Sequence, residues 1–82
     1  MQIRILLFGP QAALAGKRQV DVDLPGPTAT CGQVRQSLAQ VEPRLGDSLA
    51  ASRFAVNGSY AADDAVVSCA DEVALIGLVS GG

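Results

Sequence analysis

The chain has 82 residues, 49% of them hydrophobic, with six basic residues, eight acidic residues and no histidine. That length supports one core, because two would each fall near the size at which burial scarcely offsets chain entropy. A net charge of −2, without runs of lysine or arginine, excludes the clustered cation that nucleic-acid binding requires, and the lack of histidine removes the usual general base near neutral pH.

Residues 2–8 alternate, with Ile3, Ile5 and Leu7 on one side and Leu6 and Phe8 joining Arg4 on the other. The pattern predicts a strand with a core face and an unusually apolar second face. Gly9, Pro10 and Gly16 punctuate the next segment, in which Gln11 to Ala15 has room for only a turn of helix. Residues 18–24 alternate strictly, Val20, Val22 and Leu24 inward against Gln19, Asp21 and Asp23 outward, so the first two strands read as a hairpin.

Pro25 and Pro27 end that strand, since proline brings no ladder donor. Thr30 and Gln33 have the spacing of a capping box, and a helix is predicted to start there. Cys31, Val34, Leu38 and Val41 form its apolar stripe, with Gln33, Arg35, Gln36 and Gln40 turned to water, and Pro43 closes it. Leu45 and Leu49 read as core plugs beneath a loop. Residues 53–56 form a strand with Phe54 and Val56 on one side, Asn57-Gly58 is the turn, and Ser59 and Tyr60 begin a short return strand. Residues 61–70 connect, with Val66 and Val67 packed and Asp63 and Asp64 solvated; adjacent carboxylates without a partner to split their pKa values make a poor acid–base pair. Residues 72–78 are the last strand, Val73 and Leu75 opposite Ala74 and Ile76.

Cys31 and Cys69 form neither a C-x-x-C pair nor a disulfide framework, and both read as reduced, small buried hydrophobes. No stretch approaches the length of a membrane span, and the short apolar start has no cleavage site after it. These features predict a soluble, cytoplasmic protein without a nucleic-acid or membrane partner.

Strand, strand, helix, strand, short strand, strand is the order of the α+β, ubiquitin-like β-grasp: a mixed sheet of four to five strands crossed by one main helix. First and last strands are neighbours in such a sheet, so Leu6, Phe8 and Ile76 are predicted to share an outward apolar patch suited to a partner. Residues 1–78 form the domain and residues 79–82 a flexible tail.

That tail, Val79-Ser80-Gly81-Gly82, carries the sharpest signal. A terminal Gly-Gly arises by chance in about 0.5 per cent of chains. Two residues without Cβ make a strap thin enough for a narrow cleft, and four extended residues reach roughly 13 Å. A terminal carboxylate is ionised at neutral pH and is a poor electrophile until adenylated. A sulfur donor would then yield a thiocarboxylate; a thiol or amine would yield a protein conjugate.

The run Phe54-Ala55-Val56-Asn57-Gly58-Ser59-Tyr60, then Asp71-Glu72-Val73-Ala74-Leu75-Ile76 and the closing Val79-Ser80-Gly81-Gly82, together with Ile3-Arg4-Ile5-Leu6-Leu7-Phe8, resembles the small, sulfur-carrier subunit of molybdopterin synthase, the MoaD family. The resemblance implies that an E1-like adenylyltransferase uses ATP and magnesium to adenylate Gly82 and that a sulfurtransferase supplies sulfur. The thiocarboxylate then enters the large subunit of a heterotetrameric synthase and donates sulfur to cyclic pyranopterin monophosphate. This chain would hold no metal or cofactor and turn over nothing alone. Gly82 carries the chemistry, Gly81 gives clearance, and Leu6, Phe8, Ile76, Val79 and Ser80 meet the partners. Where the family often has Arg-Glu, Pro-Pro and Gly, this chain has Ala12-Ala13, Gly77-Leu78 and Ala70. Related carriers for thiazole, cysteine or tRNA thiolation differ in the acceptor, and a non-covalent ubiquitin-like binding module would use the patch alone.

Overall fold

A computed structural model describes residues 1–77. β1 (Gln2–Leu7) and β2 (Gln19–Asp23) make the predicted antiparallel pair, Ile3 opposite Val22 and Ile5 opposite Val20. Their connection is more ordered than its punctuation suggested. It forms α1 (Gly9–Ala15), with Pro10 in the first turn, where a missing N–H costs nothing. Gly16, at φ 69°, ends it by donating its N–H to the Ala12 carbonyl.

The capping box is present: Gln33 N–H donates to Thr30 Oγ1 (3.2 Å) and Thr30 N–H to Gln33 Oε1 (2.9 Å), opening α2 (Cys31–Val41). Cys31, Val34 and Leu38 are buried as expected, but Val41 is 51% exposed. At 100° per residue the next position falls back on the stripe, and Glu42 takes it, buried and ion-paired with Lys17 at 3.3 Å. Arg35 corrects a second expectation. Its guanidinium turns inward, donating to the Leu49 and Ser52 carbonyls and lying 5.2 Å from the Phe54 ring centroid. It also pairs with Asp63 at 3.1 Å, so one of the two adjacent carboxylates has a partner after all.

A 3-10 turn (Pro43–Leu45) and the short α3 (Gly46–Ala50) set Leu45 and Leu49 into the core. Two-residue strands β3 (Ala29–Thr30) and β6 (Val66–Val67) pair as a ribbon beside α2. Strand alternation lets only one residue of so short a segment face inward, so Val67 is buried while Val66 is 63% exposed. Cys69, also expected inside, is exposed in the loop that follows, while Cys31 is buried.

β4 (Ser52–Val56), β5 (Ser59–Ala61) and β7 (Val73–Gly77) complete a five-stranded sheet in the order β2-β1-β7-β4-β5. The β4–β5 turn is Asn57 at φ 52° and Gly58 at φ 86°, the left-handed pair the sequence predicts. β7 runs parallel to β1 and antiparallel to β4, which makes the sheet mixed. Ile3, Ile5, Leu7, Val20, Val22, Phe54, Val73 and Leu75 fill the side facing α2. This is the α+β, ubiquitin-like β-grasp architecture.

Candidate functional site

The opposite side of the sheet is assembled by register. Leu6 of β1 lies beside Ala74 of β7, Ala74 beside Ala55 of β4, and Ala55 beside Tyr60 of β5. One step further, Ile76 stands beside Arg53, and Phe8 continues the outward line of β1. Phe8 is 53% and Tyr60 63% exposed, while Leu6, Ile76, Ala74 and Ala55 are half-buried. Parity therefore brings the predicted Leu6, Phe8 and Ile76 to one face, and adds Ala55, Ala74 and Tyr60. The Asn57-Gly58 turn was the signal for the last pairing, since a two-residue turn sets Val56 opposite Ser59 and Ala55 opposite Tyr60.

Two open hollows flank the row. One, about 390 Å³, is lined by Leu6, Phe8, Gly9, Ala12 and Arg18 among others; the other, about 260 Å³, lies between Ala55, Gly58, Tyr60 and Ile76. Arg4, ion-paired with Asp21 at 3.2 Å, and Arg53 border the apolar strip. An apolar strip with shallow recesses and a charged rim suits a protein surface better than an enclosed small molecule. Among the described residues no group of three or more Cys, Asp or Glu side chains is placed to hold a metal ion, and no helix is long and apolar enough to cross a membrane.

β7 lies at the centre of the sheet, and its last residue, Gly77, is the last one described. Val79, Ser80, Gly81 and Gly82 lie outside the described residues, as does Leu78. The root of the tail is described. Gln11, a polar residue of α1 that sequence reasoning passed over, is only 5% exposed and packs on Gly77. A Cβ at Gly77 would sit 2.6 Å from Gln11 Nε2 and 2.8 Å from its Cδ, so the amide occupies the space a side chain would need. Gln11 Nε2 donates to Ser52 Oγ (3.2 Å), and Ser52, opposite Gly77 across the β4–β7 pair, donates to the Ser48 carbonyl (2.6 Å).

Before β7, Asp71 ties the β4–β5 turn to the connection. It accepts from Asn57 Nδ2 (2.9 Å) and Ser68 N–H (2.8 Å), while Glu72 N–H donates to Asn57 Oδ1 (2.9 Å). The hydrogen bond from Asn57, then that from the Ser68 amide, hold the Asp71 carboxyl below its ordinary pKa. The Cys31 thiol is pushed up, first by burial and then by nearby Asp63, against a smaller lowering by Arg35. A raised pKa is the opposite of what a sulfur nucleophile needs.

A mixed sheet crossed by one principal helix, with its last strand central and an apolar outer face, defines a ubiquitin-like β-grasp protein. The family model described as the ThiS family matches residues 5–82, and the chain belongs to that family. SAMP1 from Haloferax volcanii is 33% identical over all of both chains, with a TM-score of 0.81. The putative molybdopterin converting factor subunit 1 from Pyrococcus furiosus is 21% identical over 96% of this chain and 99% of that one (TM-score 0.80). A chain of the complex of subunits 1 and 2 of molybdopterin-converting factor from Helicobacter pylori is 18% identical over all of both (TM-score 0.68). The last two likenesses are of fold. No curated protein matches the sequence.

Proposed function

We propose that this protein is a sulfur carrier whose terminal Gly82 is adenylated, converted to a thiocarboxylate, and used as a sulfur donor in molybdopterin synthesis. The observation that carries the reading is the family match itself, which runs through the terminal Gly-Gly. The central strand β7, which precedes that end in sequence, carries part of the apolar outer face.

The Gly82 carboxylate attacks the α-phosphate of ATP on an E1-like partner that supplies magnesium, and pyrophosphate leaves. A persulfide from a sulfurtransferase attacks the acyl carbon and AMP leaves; reduction of the resulting disulfide linkage by a thiol frees the thiocarboxylate. On the large subunit that sulfur attacks a side-chain carbon of the pterin acceptor and displaces an oxygen substituent; water then cleaves the resulting thioester, leaving the sulfur on the pterin and returning Gly82 to a carboxylate. A dithiolene needs two sulfur atoms, hence two charged carriers for each cyclic pyranopterin monophosphate. Leu6, Phe8 and Ile76 provide the docking contacts, Gly81 the clearance, and Val79 and Ser80 the approach. The fold likeness to a chain of the Helicobacter pylori complex of subunits 1 and 2 is consistent with a large-subunit partner; a heterotetramer is part of the same proposal.

A second reading has its own support. Haloferax volcanii SAMP1, a small archaeal modifier protein, is 33% identical along the whole chain. As a modifier, the adenylated Gly82 would be passed to a lysine amine and form an isopeptide bond. Intact-mass analysis after incubation with ATP, magnesium, the adenylating enzyme and a sulfur source tests both. Exchange of one oxygen for sulfur in the free chain, followed by loss of that sulfur when the large subunit and the pterin are added, supports the first. Appearance of Gly82 on lysines of other proteins without thiocarboxylate supports the second. Deleting Gly82 is expected to abolish both and leave folding intact; a Gly82-deleted chain that still accepts sulfur refutes both.

A further inference from the structure

We propose that Asn57-Gly58 is a covalent modification site: the turn deamidates through its own backbone, Asp71 and Glu72 restrain it, and the product undoes the pairing that sets Tyr60 on the outer face. The chemistry stands independently of the carrier reading; only its effect on docking rests on that reading.

The fold selects a reactive pair here. Both turn residues have positive φ, 52° and 86°, and glycine takes the second without strain. Without a Cβ, and with nothing within 4 Å of where one would stand, Gly58 leaves its nitrogen open to the side chain before it. Its N–H has no hydrogen-bond partner among the described residues. That nitrogen can attack Asn57 Cγ. The N–Cγ bond forms, the Gly58 amide proton passes through water to the departing Nδ2, the Cγ–Nδ2 bond breaks, and ammonia leaves a five-membered succinimide. Water opens the ring at either carbonyl and gives aspartate or isoaspartate at position 57, with no oxidant and no second protein required.

Asn57 Nδ2 donates to Asp71 Oδ1 and Glu72 N–H donates to Asn57 Oδ1, each at 2.9 Å, while Asn57 N–H donates to the Glu72 carbonyl at 2.8 Å. Hydrogen bonds to an amide lie near its plane. Attack makes Cγ tetrahedral and carries Oδ1 and Nδ2 out of that plane, so both side-chain bonds must loosen before the ring closes. Asp71 is the stronger restraint, because its acceptor is charged and is itself held by the Ser68 N–H at 2.8 Å. As a carboxylate it has no proton to give the leaving nitrogen. The product reverses the contact: a carboxylate oxygen replaces Nδ2 opposite Asp71, and repulsion takes the place of a hydrogen bond. Isoaspartate also adds a backbone carbon to the turn whose length sets Ala55 opposite Tyr60. Ala55, Gly58, Tyr60 and Ile76 line the hollow of about 260 Å³ on the outer face, so the change reaches the docking surface.

The full chain, kept at neutral pH in native buffer and in parallel in urea, is mapped by peptide mass for deamidation at Asn57, with isoaspartate identified by enzymatic methylation. Asn57 should react in urea and about ten-fold or more slowly in the native chain, the worth of one hydrogen bond to a charged acceptor. Asp71→Ala should recover about ten-fold in native buffer and change nothing in urea, where the restraint is absent. Asp71→Asn, which keeps the volume and a neutral acceptor, should lie between, and it replaces the alanine variant if circular dichroism shows that one unfolded. The isoaspartate form, separated on an anion exchanger by its added charge, should have a lower urea midpoint and a higher KM with the adenylating enzyme. No reaction at Asn57 in either condition, equal wild-type rates in both, or Asp71 variants no faster than the wild type in native buffer overturn the proposal. So does an acceleration of the same size in urea, which marks a sequence effect, and so does an isoaspartate form with unchanged midpoint and KM. A lowered midpoint with no charging of either form upholds the modification site and removes the carrier reading instead.

Discussion

Arg35→Ala is expected to cost about 3 kcal/mol, most of it from two backbone carbonyls rather than from the visible ion pair. Its guanidinium supplies donors to Leu49 and Ser52, where α3 hands over to β4, and covers the Phe54 ring at 5.2 Å. Hydrogen bonds from a charged donor are worth about 1.5–3 kcal/mol each, the cation–π contact about 1, and the pair with Asp63, whose side chain is 67% exposed, at most about 1. These do not sum, because water can reach partly buried carbonyls once the side chain is gone. A chain of this size has a total stability of about 4–12 kcal/mol, and each kcal/mol shifts the midpoint by about 4–8 °C. The variant should therefore melt roughly 12–24 °C lower. Urea unfolding followed by circular dichroism, with slopes compared, measures the loss directly. Arg35→Lys, which can serve one carbonyl, should fall between, and Asp63→Ala should lose less than about 1 kcal/mol. A loss below about 1 kcal/mol for Arg35→Ala, or an equal loss for Asp63→Ala, refutes the assignment.

Ile76→Arg, on the outer face, should leave the urea midpoint nearly unchanged and lower kcat/KM for adenylation about tenfold or more, read as pyrophosphate release; an unaffected rate would remove that face from the interface. A maleimide at about pH 7 should label one thiol per native chain, Cys69, and two in urea, by mass. The raised Cys31 pKa also fixes a sign: the unfolded thiol ionises first, so its contribution is complete below about pH 8.5 and declines as pH rises beyond it. Asp71 works the other way, since its folded pKa is lowered. Its contribution is present above the unfolded value of about 3.9 and is lost as pH falls through the folded one. Asp71→Asn should be less stable than the wild type at pH 7, with the two converging once the pH has fallen below the lowered folded pKa; a constant gap across pH would show the carboxylate charge to be irrelevant.

The elements legible in the sequence were those in which a local rule and the global fold coincide. The alternation of Ile3, Ile5 and Leu7, the Thr30–Gln33 box and the Asn57-Gly58 turn each express a backbone requirement within a few residues, and all three stand where they were read. Strand parity likewise brought Leu6, Phe8 and Ile76 together. Contacts distant in sequence were not legible. Arg35 looks like any solvated helix residue until Leu49, Ser52 and Phe54 are folded against it. Gln11 sits 66 positions from Gly77, in a segment whose glycines and proline read as loop. Hydrophobicity alone predicts Val66 and Cys69 inside, but a two-residue strand and the loop after it have too little length to turn them there.

The placement of β7 has a mechanical consequence. Its backbone is hydrogen-bonded to β1 on one side and β4 on the other, so tension applied along its C-terminal direction loads both ladders lengthwise. Bonds loaded in shear must yield together, whereas bonds pulled across the ladder peel one at a time. Force applied along β7 at Gly77 would therefore be shared by both ladders before any of the sheet unravels.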